Sequence, residues 1–276
     1  MLNITLQFEK EQNWKINNYI LQAIFNDATW KKEHGKKSLY NFSNIYPFVQ
    51  NNNYFVWKDY HINFKTVDKS LEQKVFEYLS LHSELNFWKN NKIKIKKIIY
   101  KKNTPIFYGK IIKTITPVVL SLNKDLAQKY NIEYNVKNAL YWQEKMWFNV
   151  FKDLLKKNIL IKYIEILNLI KNKQIVLPEY LQAEFSKIED WEKKILEIYL
   201  NKQDFEDYIQ DIKLFSAYKF KKYKFTLYKK ALIPGSLWDF KLSIEPQKKV
   251  NIVKIFKVVS LVWLGEKNKE GFWFIL

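Results

Sequence analysis

The order of strand-like and helix-like segments is the feature that most limits what this chain can fold into. Residues 2–8 alternate apolar and polar side chains with the period of two that is typical of a half-buried strand, whereas residues 14–31 have helical spacing. A basic, glycine-containing loop follows over residues 31–43. The next segments are a strand or hairpin over residues 54–66, a helix over 69–82, a strand over 92–102 and two more strand-like runs over 106–122. This β-α-β-β-α-β order predicts a ferredoxin-like unit.

The second half of the chain is helical at first and then returns to strands. Four helices are predicted over residues 139–157, 160–171, 178–200 and 203–214. Two strands follow over 218–230 and 237–244, and a further helix over 247–262. A break in alternation predicts a bulge at Lys221-Lys222, and Pro234-Gly235 predicts a turn. The pair 237–262 has the element order and length of the pair 2–25, which indicates a weak internal repeat.

We therefore expect an α+β fold made of two ferredoxin-like (RRM-like) units in tandem. The first unit covers residues 1–125 and the second covers residues 126–276, with the helices of about 136–212 inserted into the second. With 47% hydrophobic residues, the chain can build a real core, which excludes a disordered protein. The absence of cysteine excludes disulfides, thiolate zinc sites and cysteine nucleophiles. Neither a signal peptide nor an apolar run near the ~20 residues of a membrane span is found, so we expect a cytoplasmic protein.

Positive charge dominates the chain, but it is unevenly distributed. The net charge is +19, and every basic residue is lysine, so the planar fork with which arginine reads guanine is unavailable. Residues 178–211 carry ten acids and four lysines, a net −6, which leaves +25 on the remainder. A basic body predicts a nucleic-acid partner bound through phosphates, and the acidic segment is expected to face solvent or a protein partner.

The C-terminal stretch SLVWLGEKNKEGFWFIL concentrates two of the five glycines of the chain, Gly265 and Gly271. Between them lies a charged run that includes Lys267, Asn268 and Lys269, with apolar residues on both sides. Backbone N–H groups and lysines in such a loop are suited to holding phosphates. A hairpin turn that caps the last strand explains the same residues equally well.

Three separated segments resemble one known family. They are LGEKNKEGF (264–272), TITPVV (114–119) and LQAIF…HGKKSLYNFS (21–43). In this order they resemble the CRISPR repeat-processing endoribonucleases, the sixth Cas family within the RAMP superfamily. Trp263 and Trp273 stand where the first and last glycines of the family's C-terminal motif would be, and the helices of 136–212 have no clear counterpart.

The resemblance implies a pair of ferredoxin-like units that bind a CRISPR repeat RNA and cut it once per repeat, with no metal or other cofactor. The 2′-hydroxyl then attacks the adjacent phosphate and leaves a 2′,3′-cyclic phosphate and a 5′-hydroxyl. Such chemistry needs a proton acceptor, a proton donor and a cation near the phosphorane.

Histidine suits either proton role, and the chain has three: His34, His61 and His82. The resemblance selects His34, which lies in the basic loop with Lys36 and Lys37, and these three residues form the predicted catalytic set. The tyrosine that the family often adds from its first helix falls here on Phe25 or Asn26. The loss of one acid–base partner predicts a slow enzyme, by on the order of 10²-fold or more.

For RNA binding we select lysines of two strands and the residues of the glycine loop. They are Lys92, Lys94, Lys96, Lys219, Lys221, Lys222, Lys224, Gly265, Lys267, Asn268, Lys269 and Gly271. Lys92, Lys94 and Lys96 share one face of their strand. Tyr218, Phe220 and Tyr223 lie among the lysines of the second strand, where they could stack bases. A solvated sheet face, for the lysines, and a core position, for the aromatic residues, are the alternatives.

Two further possibilities stay open at the level of sequence. Asp204, Asp207 and Asp211 share a helical face and could form a two-metal nuclease site. A solvated helix face in an acidic insertion is the favoured interpretation. The missing tyrosine, the two tryptophans and an acidic insertion suited to docking on other CRISPR effector subunits favour a non-cleaving, repeat-binding subunit. A generic single-strand RNA binder is a third reading, against which the motif order argues.

Overall fold

The computed structural model describes residues 1–10, 25, 28, 39–43, 45, 55, 56, 58–87, 91–101, 111–113, 118, 128, 130, 131, 148–228, 231–243 and 250–262. The strands in these residues are β1 (Leu2–Phe8), β2 (Tyr40–Phe42), β3 (Tyr60–Thr66), β4 (Glu84–Phe87), β5 (Asn91–Tyr100), β6 (Ile111–Lys113), β7 (Phe215–Tyr228) and β8 (Ala231–Leu242). The helices are α1 (Lys69–Leu81), α2 (Phe148–Lys171), α3 (Glu179–Gln182), α4 (Asp190–Ile198), α5 (Lys202–Gln210) and α6 (Ile252–Val259).

The first sheet has the strand order of a ferredoxin-like unit with one extra edge strand. Its order is β2-β3-β1-β5-β4, and every neighbouring pair is antiparallel. In a ferredoxin-like unit the fourth, first, third and second strands are adjacent in that order, and here β5, β1, β3 and β2 take those places. The helix α1 buries Leu71, Val75 and Leu79 against one face of this sheet.

The second sheet repeats this arrangement within the described residues. Its order is β6-β8-β7, again antiparallel, so β8 lies between its neighbours as β3 lies between β1 and β2. The last strand predicted from the sequence lies outside the described residues. Because β8 and α6 follow each other as β3 and α1 do, the repeat is real but its predicted partner is wrong: the pair 237–262 corresponds to β3–α1, not to residues 2–25.

The boundary between the two units falls earlier than predicted, and the insertion is shorter. The strand β6 lies before residue 125 yet pairs with β8, so the second unit already includes Ile111. The two helices predicted over 139–157 and 160–171 form the single helix α2, which occupies the place of the first helix of a ferredoxin-like unit. Among the described elements, α3, α4 and α5 are the additions to that unit, because they lie between its helix and β7.

Local predictions near the strands were partly wrong. The segment 31–43 was expected to be loop, but Tyr40–Phe42 forms the edge strand β2. Residues Pro234 and Gly235 lie within β8 instead of turning before it. Among the described residues, position 234 pairs with β7 alone, and a proline is tolerated in a strand where its missing N–H is not needed by a second neighbour. The predicted bulge in β7 is confirmed by the register shift between Phe220 and Lys222.

Two separate hydrophobic cores stabilise the molecule. The first packs β1 and β3 against α1, Phe25 and Ala28. The second packs β8 against α2 and α6, with Trp238 stacked on Phe151 at a ring-centroid distance of 4.7 Å. The described helices include none that is long and apolar enough to cross a membrane.

The start of α1 joins the first unit to the helical region. Asp68 caps α1 by accepting from the Ser70 amide at 3.0 Å, and the same carboxylate oxygen accepts from the Val176 amide at 3.2 Å. The Lys69 amide donates to the Val176 carbonyl at 2.7 Å, and its side chain pairs with Glu179. The capping of α1 and the docking of the loop before α3 therefore depend on one residue.

Candidate nucleic-acid interface

The predicted catalytic set and the predicted phosphate-binding loop lie outside the described residues. They are His34, Lys36, Lys37, Gly265, Lys267, Asn268, Lys269 and Gly271. These assignments stay predictions. The structure does describe the residues that follow the His34 segment, and it describes the sheet faces on which the predicted lysines lie.

The chain re-enters the first sheet directly after that segment. The carbonyl of Leu39 accepts hydrogen bonds from the Val67 amide at 3.2 Å and from the Thr66 hydroxyl at 2.8 Å. Four residues later, the Ser43 hydroxyl accepts from the Asn63 amide at 2.9 Å. The C-terminal end of the histidine-bearing segment is therefore fixed at the edge of the sheet by backbone bonds.

We call the face of the first sheet opposite α1 its open face, although its polar centre on β1 and β3 is buried. Cross-strand pairs between β1 and β3 connect it: Asn3 donates to Asn63 at 2.8 Å, and the Thr5 hydroxyl lies 3.2 Å from Nδ1 of His61. This corrects the half-buried strand predicted at residues 2–8, because both faces of β1 are buried. The sequence shows apolar alternation only, whereas partners across the sheet cover the polar side chains.

The next residue of this face on β3 is Lys65. Its side chain is buried, and desolvation lowers its pKa from 10.5 to about 8 because burial disfavours the charged ammonium. Because its side chain is buried, Lys65 is not available on the surface to contact a phosphate. The exposed cations of the face lie on β5 instead.

The three lysines predicted on β5 do share the exposed side of the strand, but they differ in their partners. Lys92 pairs with Glu84 at 3.1 Å, and this hydrogen bond raises its pKa. Lys96 pairs with Asp59 at 3.1 Å, and its hydrogen bond lowers the pKa of the Asp59 carboxyl. Lys94 is exposed and has no ion pair with any described residue.

The open face of the second sheet is also basic. Lys219 and Lys113 flank Asp239 in register, and Lys221 pairs with the same carboxylate at 3.0 Å. Lys241 is exposed one row further along. Sequence reasoning missed Lys113 and Lys241, although both alternate with buried residues of their strands. The other two lysines predicted on this strand, Lys222 and Lys224, lie in β7, but the structure does not describe their side chains.

Two of the aromatic residues predicted to stack bases lie on the opposite face of this sheet. Tyr218 and Phe220 are in register with Phe240 and Trp238, which face α2. Tyr218 meets Phe148 of that helix edge to face at 5.5 Å, and burial raises its pKa to about 12. Tyr218 packs against the second core, which was the alternative interpretation of the sequence, whereas Phe220 meets Trp238 edge to face at 5.4 Å but stays exposed.

The other two histidines have structural surroundings. His82 ends α1, where its Nδ1 lies 2.8 Å from the Tyr78 carbonyl and its ring stacks on that of Tyr78 at 4.3 Å. His61 lies in β3 beside Thr5. Neither lies in the loop from which catalysis was predicted.

The acidic segment 178–211 is tied to the basic body, which corrects the expectation that it faces only solvent or a partner. Five of its ten acids pair with lysines outside it, in the pairs Glu179–Lys69, Glu184–Lys257, Glu189–Lys254, Glu192–Lys254 and Glu206–Lys157. The described part of the chain contains no cluster of three or more acids or histidines able to hold a metal, and the group Asp204, Asp207 and Asp211 is included in that finding.

The arrangement defines a tandem ferredoxin-like α+β protein with a basic open face on each sheet. No known protein family profile and no curated protein sequence matches the chain. Solved structures share its fold. One is described as a Cas6-related gene product from Pyrococcus furiosus and aligns with a TM-score of 0.61 at 16% identity, over 100% of this chain and 96% of that chain.

Two further solved structures agree with that one. A CRISPR-associated protein Cas6 aligns with a TM-score of 0.60 at 14% identity, over 100% of this chain and 97% of that one. A RAMP protein described as binding different RNA substrates aligns at 0.58 and 13% identity, over 99% and 97%. The chain therefore has the fold of Cas6-related and RAMP proteins along its whole length, as the sequence motifs predicted.

Proposed function

We propose that this protein is a CRISPR repeat-processing endoribonuclease that cuts precursor CRISPR RNA within its repeats without a metal ion. The observation that carries the proposal is the shared fold, which extends over 96% or more of each Cas6-related or RAMP structure. The three sequence motifs support it independently, because they are short local patterns that do not depend on the fold. The basic open faces support RNA as the ligand.

The reaction is a transesterification at one phosphodiester. The 2′-oxygen forms a bond to phosphorus while the bond from phosphorus to the 5′-oxygen breaks, so the products are a 2′,3′-cyclic phosphate and a 5′-hydroxyl. His34 is assigned to proton transfer, and Lys36 or Lys37 is assigned to stabilising the charge of the phosphorane. The family's tyrosine falls here on Phe25, which is buried, or on Asn26, and neither can transfer a proton as tyrosine does, so the enzyme is expected to be slow.

A non-cleaving, repeat-binding subunit is the second candidate. Two sequence observations favour it: Trp263 and Trp273 replace glycines of the C-terminal motif, and the family's tyrosine is missing. Docking on other effector subunits would use those acids of the segment 178–211 that are not paired with the body.

One experiment separates these functions. We expect cleavage of a CRISPR repeat RNA to persist in excess chelator and to stop when the nucleotide 5′ of the scissile phosphate is 2′-deoxy, because the nucleophile is then absent. The His34→Ala variant is expected to lose at least 10²-fold in the single-turnover rate. The His82→Ala variant is the matched control, since His82 only ends α1, and should cut at the wild-type rate.

The outcomes are distinct. Binding of repeat RNA without any cut, in every buffer, favours the second candidate. A His34→Ala variant that cuts as fast as His82→Ala removes His34 from the mechanism, and loss of activity in chelator contradicts the metal-independent reaction.

A further inference from the structure

The strand β5 carries four lysines within six residues, and the structure divides them into two kinds. Lys92 and Lys96 are paired with Glu84 and Asp59, as described above. Lys94 and Lys97 are exposed, and neither forms an ion pair with the described part of the chain. Glu84 and Asp59 are thus each paired with one lysine, and Glu9 adds a third negative charge near Lys92. We call Lys94 and Lys97 the surplus lysines because they form no ion pair with the described residues, although Glu84 is also in register with Lys94.

A β-bulge brings these two surplus lysines to the same face. Lys94 is in register with Gln7, and Lys97 is in register with Thr5. The two lysines are three residues apart in β5, so strict alternation would place them on opposite faces of the sheet. The register shifts between Thr5 and Leu6, so that Lys96 is the extra residue of the bulge. Without the bulge, Lys97 would point to the core side of the sheet.

The register also fixes the spacing of the two lysines. Thr5 and Gln7 are two residues apart on β1, which is about 6.7 Å along a strand. This distance is comparable to the separation of successive phosphates along an extended single strand of nucleic acid. A duplex presents its phosphates on a curved surface, which fits a straight row of two lysines less well.

Hydrogen bonds from Gln7 and Lys96 reduce the repulsion between the Asp59 carboxylate and a bound phosphate. The Gln7 amide donates to Asp59 at 2.7 Å, and Lys96 contacts the same oxygen from the other side. A carboxylate that is held by two donors has little remaining negative potential to repel a phosphate. The bulge residue therefore has a role of its own, because it neutralises Asp59 beside the two surplus lysines.

We propose that Lys94 and Lys97 form a two-phosphate binding site for single-stranded RNA on the open face of the first sheet. The identity of the ligand as RNA rests on the proposed function, whereas the site itself rests on the bulge and on the ion pairs. Lys97 was not among the residues predicted from sequence, because simple alternation places it on the buried side.

The test is the salt dependence of binding to a single-stranded repeat RNA. For single strands, the slope of log K against log salt falls by about 0.7 for each phosphate contact, so the Lys94→Gln/Lys97→Gln variant should lose about 1.4 from the slope. The Lys74→Gln/Lys187→Gln variant removes the same charge from exposed lysines of α1 and the acidic segment, and should keep the wild-type slope. Equal urea midpoints of the two variants show that both are folded.

Two results overturn the proposal. In one, both double variants have the same slope while the wild-type protein binds RNA. In the other, the slope falls with a blunt duplex but not with the single strand. Failure of the proposed function has a different signature, since the wild-type protein then neither cuts nor binds the repeat RNA above the level of an unrelated RNA.

Discussion

At the scale of single residues, Lys65 is the clearest case of a charge that the fold tolerates at a cost. Its side chain is buried on the polar face between β1 and β3, and desolvation lowers its pKa to about 8. A pKa that falls from 10.5 to about 8 corresponds to a penalty of about 3 kcal/mol for keeping the ammonium charged at neutral pH. The lowered pKa means that the contacts of Lys65 with its neighbours do not fully offset the desolvation of its ammonium.

We expect the Lys65→Met variant to be more stable than the wild type at pH 7, by up to about 3 kcal/mol in the free energy of unfolding. Between pH 8 and 10.5 the unfolded chain holds a proton at Lys65 that the folded chain releases. The stability of the wild type therefore rises with pH relative to the variant, and the difference should shrink. Urea unfolding of both proteins at pH 7 and pH 10 measures this, and a difference that is constant with pH would contradict the assignment.

At the scale of elements, a buried ionic cluster fixes the inserted helices to the second unit. Lys254 of α6 is fully buried and lies 2.9 Å from the equally buried Glu192 of α4. Glu192 also accepts hydrogen bonds from the Tyr163 hydroxyl of α2 and, at 2.6 Å, from the Glu189 amide. The Glu192 carboxylate thus joins α4, which carries it, to α2 and α6, each of which contributes a donor.

Removal of one partner from this cluster should cost more than removal of both. The Lys254→Met variant leaves Glu192 buried without its cation, and we expect a loss of about 3–5 kcal/mol. The Lys254→Met/Glu192→Gln variant keeps an acceptor for Tyr163 and should recover most of that loss. Urea unfolding gives both values, and a double variant as unstable as the single one would show that the charge of Glu192 is not the cause.

At the scale of the whole molecule, the two cores are separate and a few residues connect them. Leu39 packs against both clusters, and Val67, just before α1, belongs to the second core although β3 belongs to the first. The ion pairs of the acidic segment lie almost entirely within the second unit. Damage to one core should therefore spread incompletely to the other.

Hydrogen exchange of the Lys254→Met variant tests this division. We expect faster amide exchange in α2, α4 and β8, with wild-type protection kept in β1 and β3, because the cluster lies in the second core. The Leu6→Ala variant, which opens a cavity in the first core, should show the reverse pattern. Equal loss of protection in both units, in either variant, would mean that the molecule unfolds as one cooperative body.

Features that depend on residues close in the chain were predicted correctly, whereas features that depend on a partner strand were not. The helix at 69–82 and the exposed lysines of β5 were predicted correctly, because periodicity and caps are local. The position of Lys97 was not predictable, since a bulge depends on the partner strand. The same holds for Pro234, whose place inside β8 depends on its pairing with Phe225 of β7.

By itself, the sequence determined the α+β class, the basic charge, the order of elements and, through three short motifs, the family it resembles. These follow from composition and from contacts between residues close in the chain. The tertiary structure decided which lysines are neutralised by acids, which face Tyr218 and Phe220 occupy, and that the acidic segment is docked through Lys254. Each of these depends on residues that are brought together only when the sheets and helices assemble.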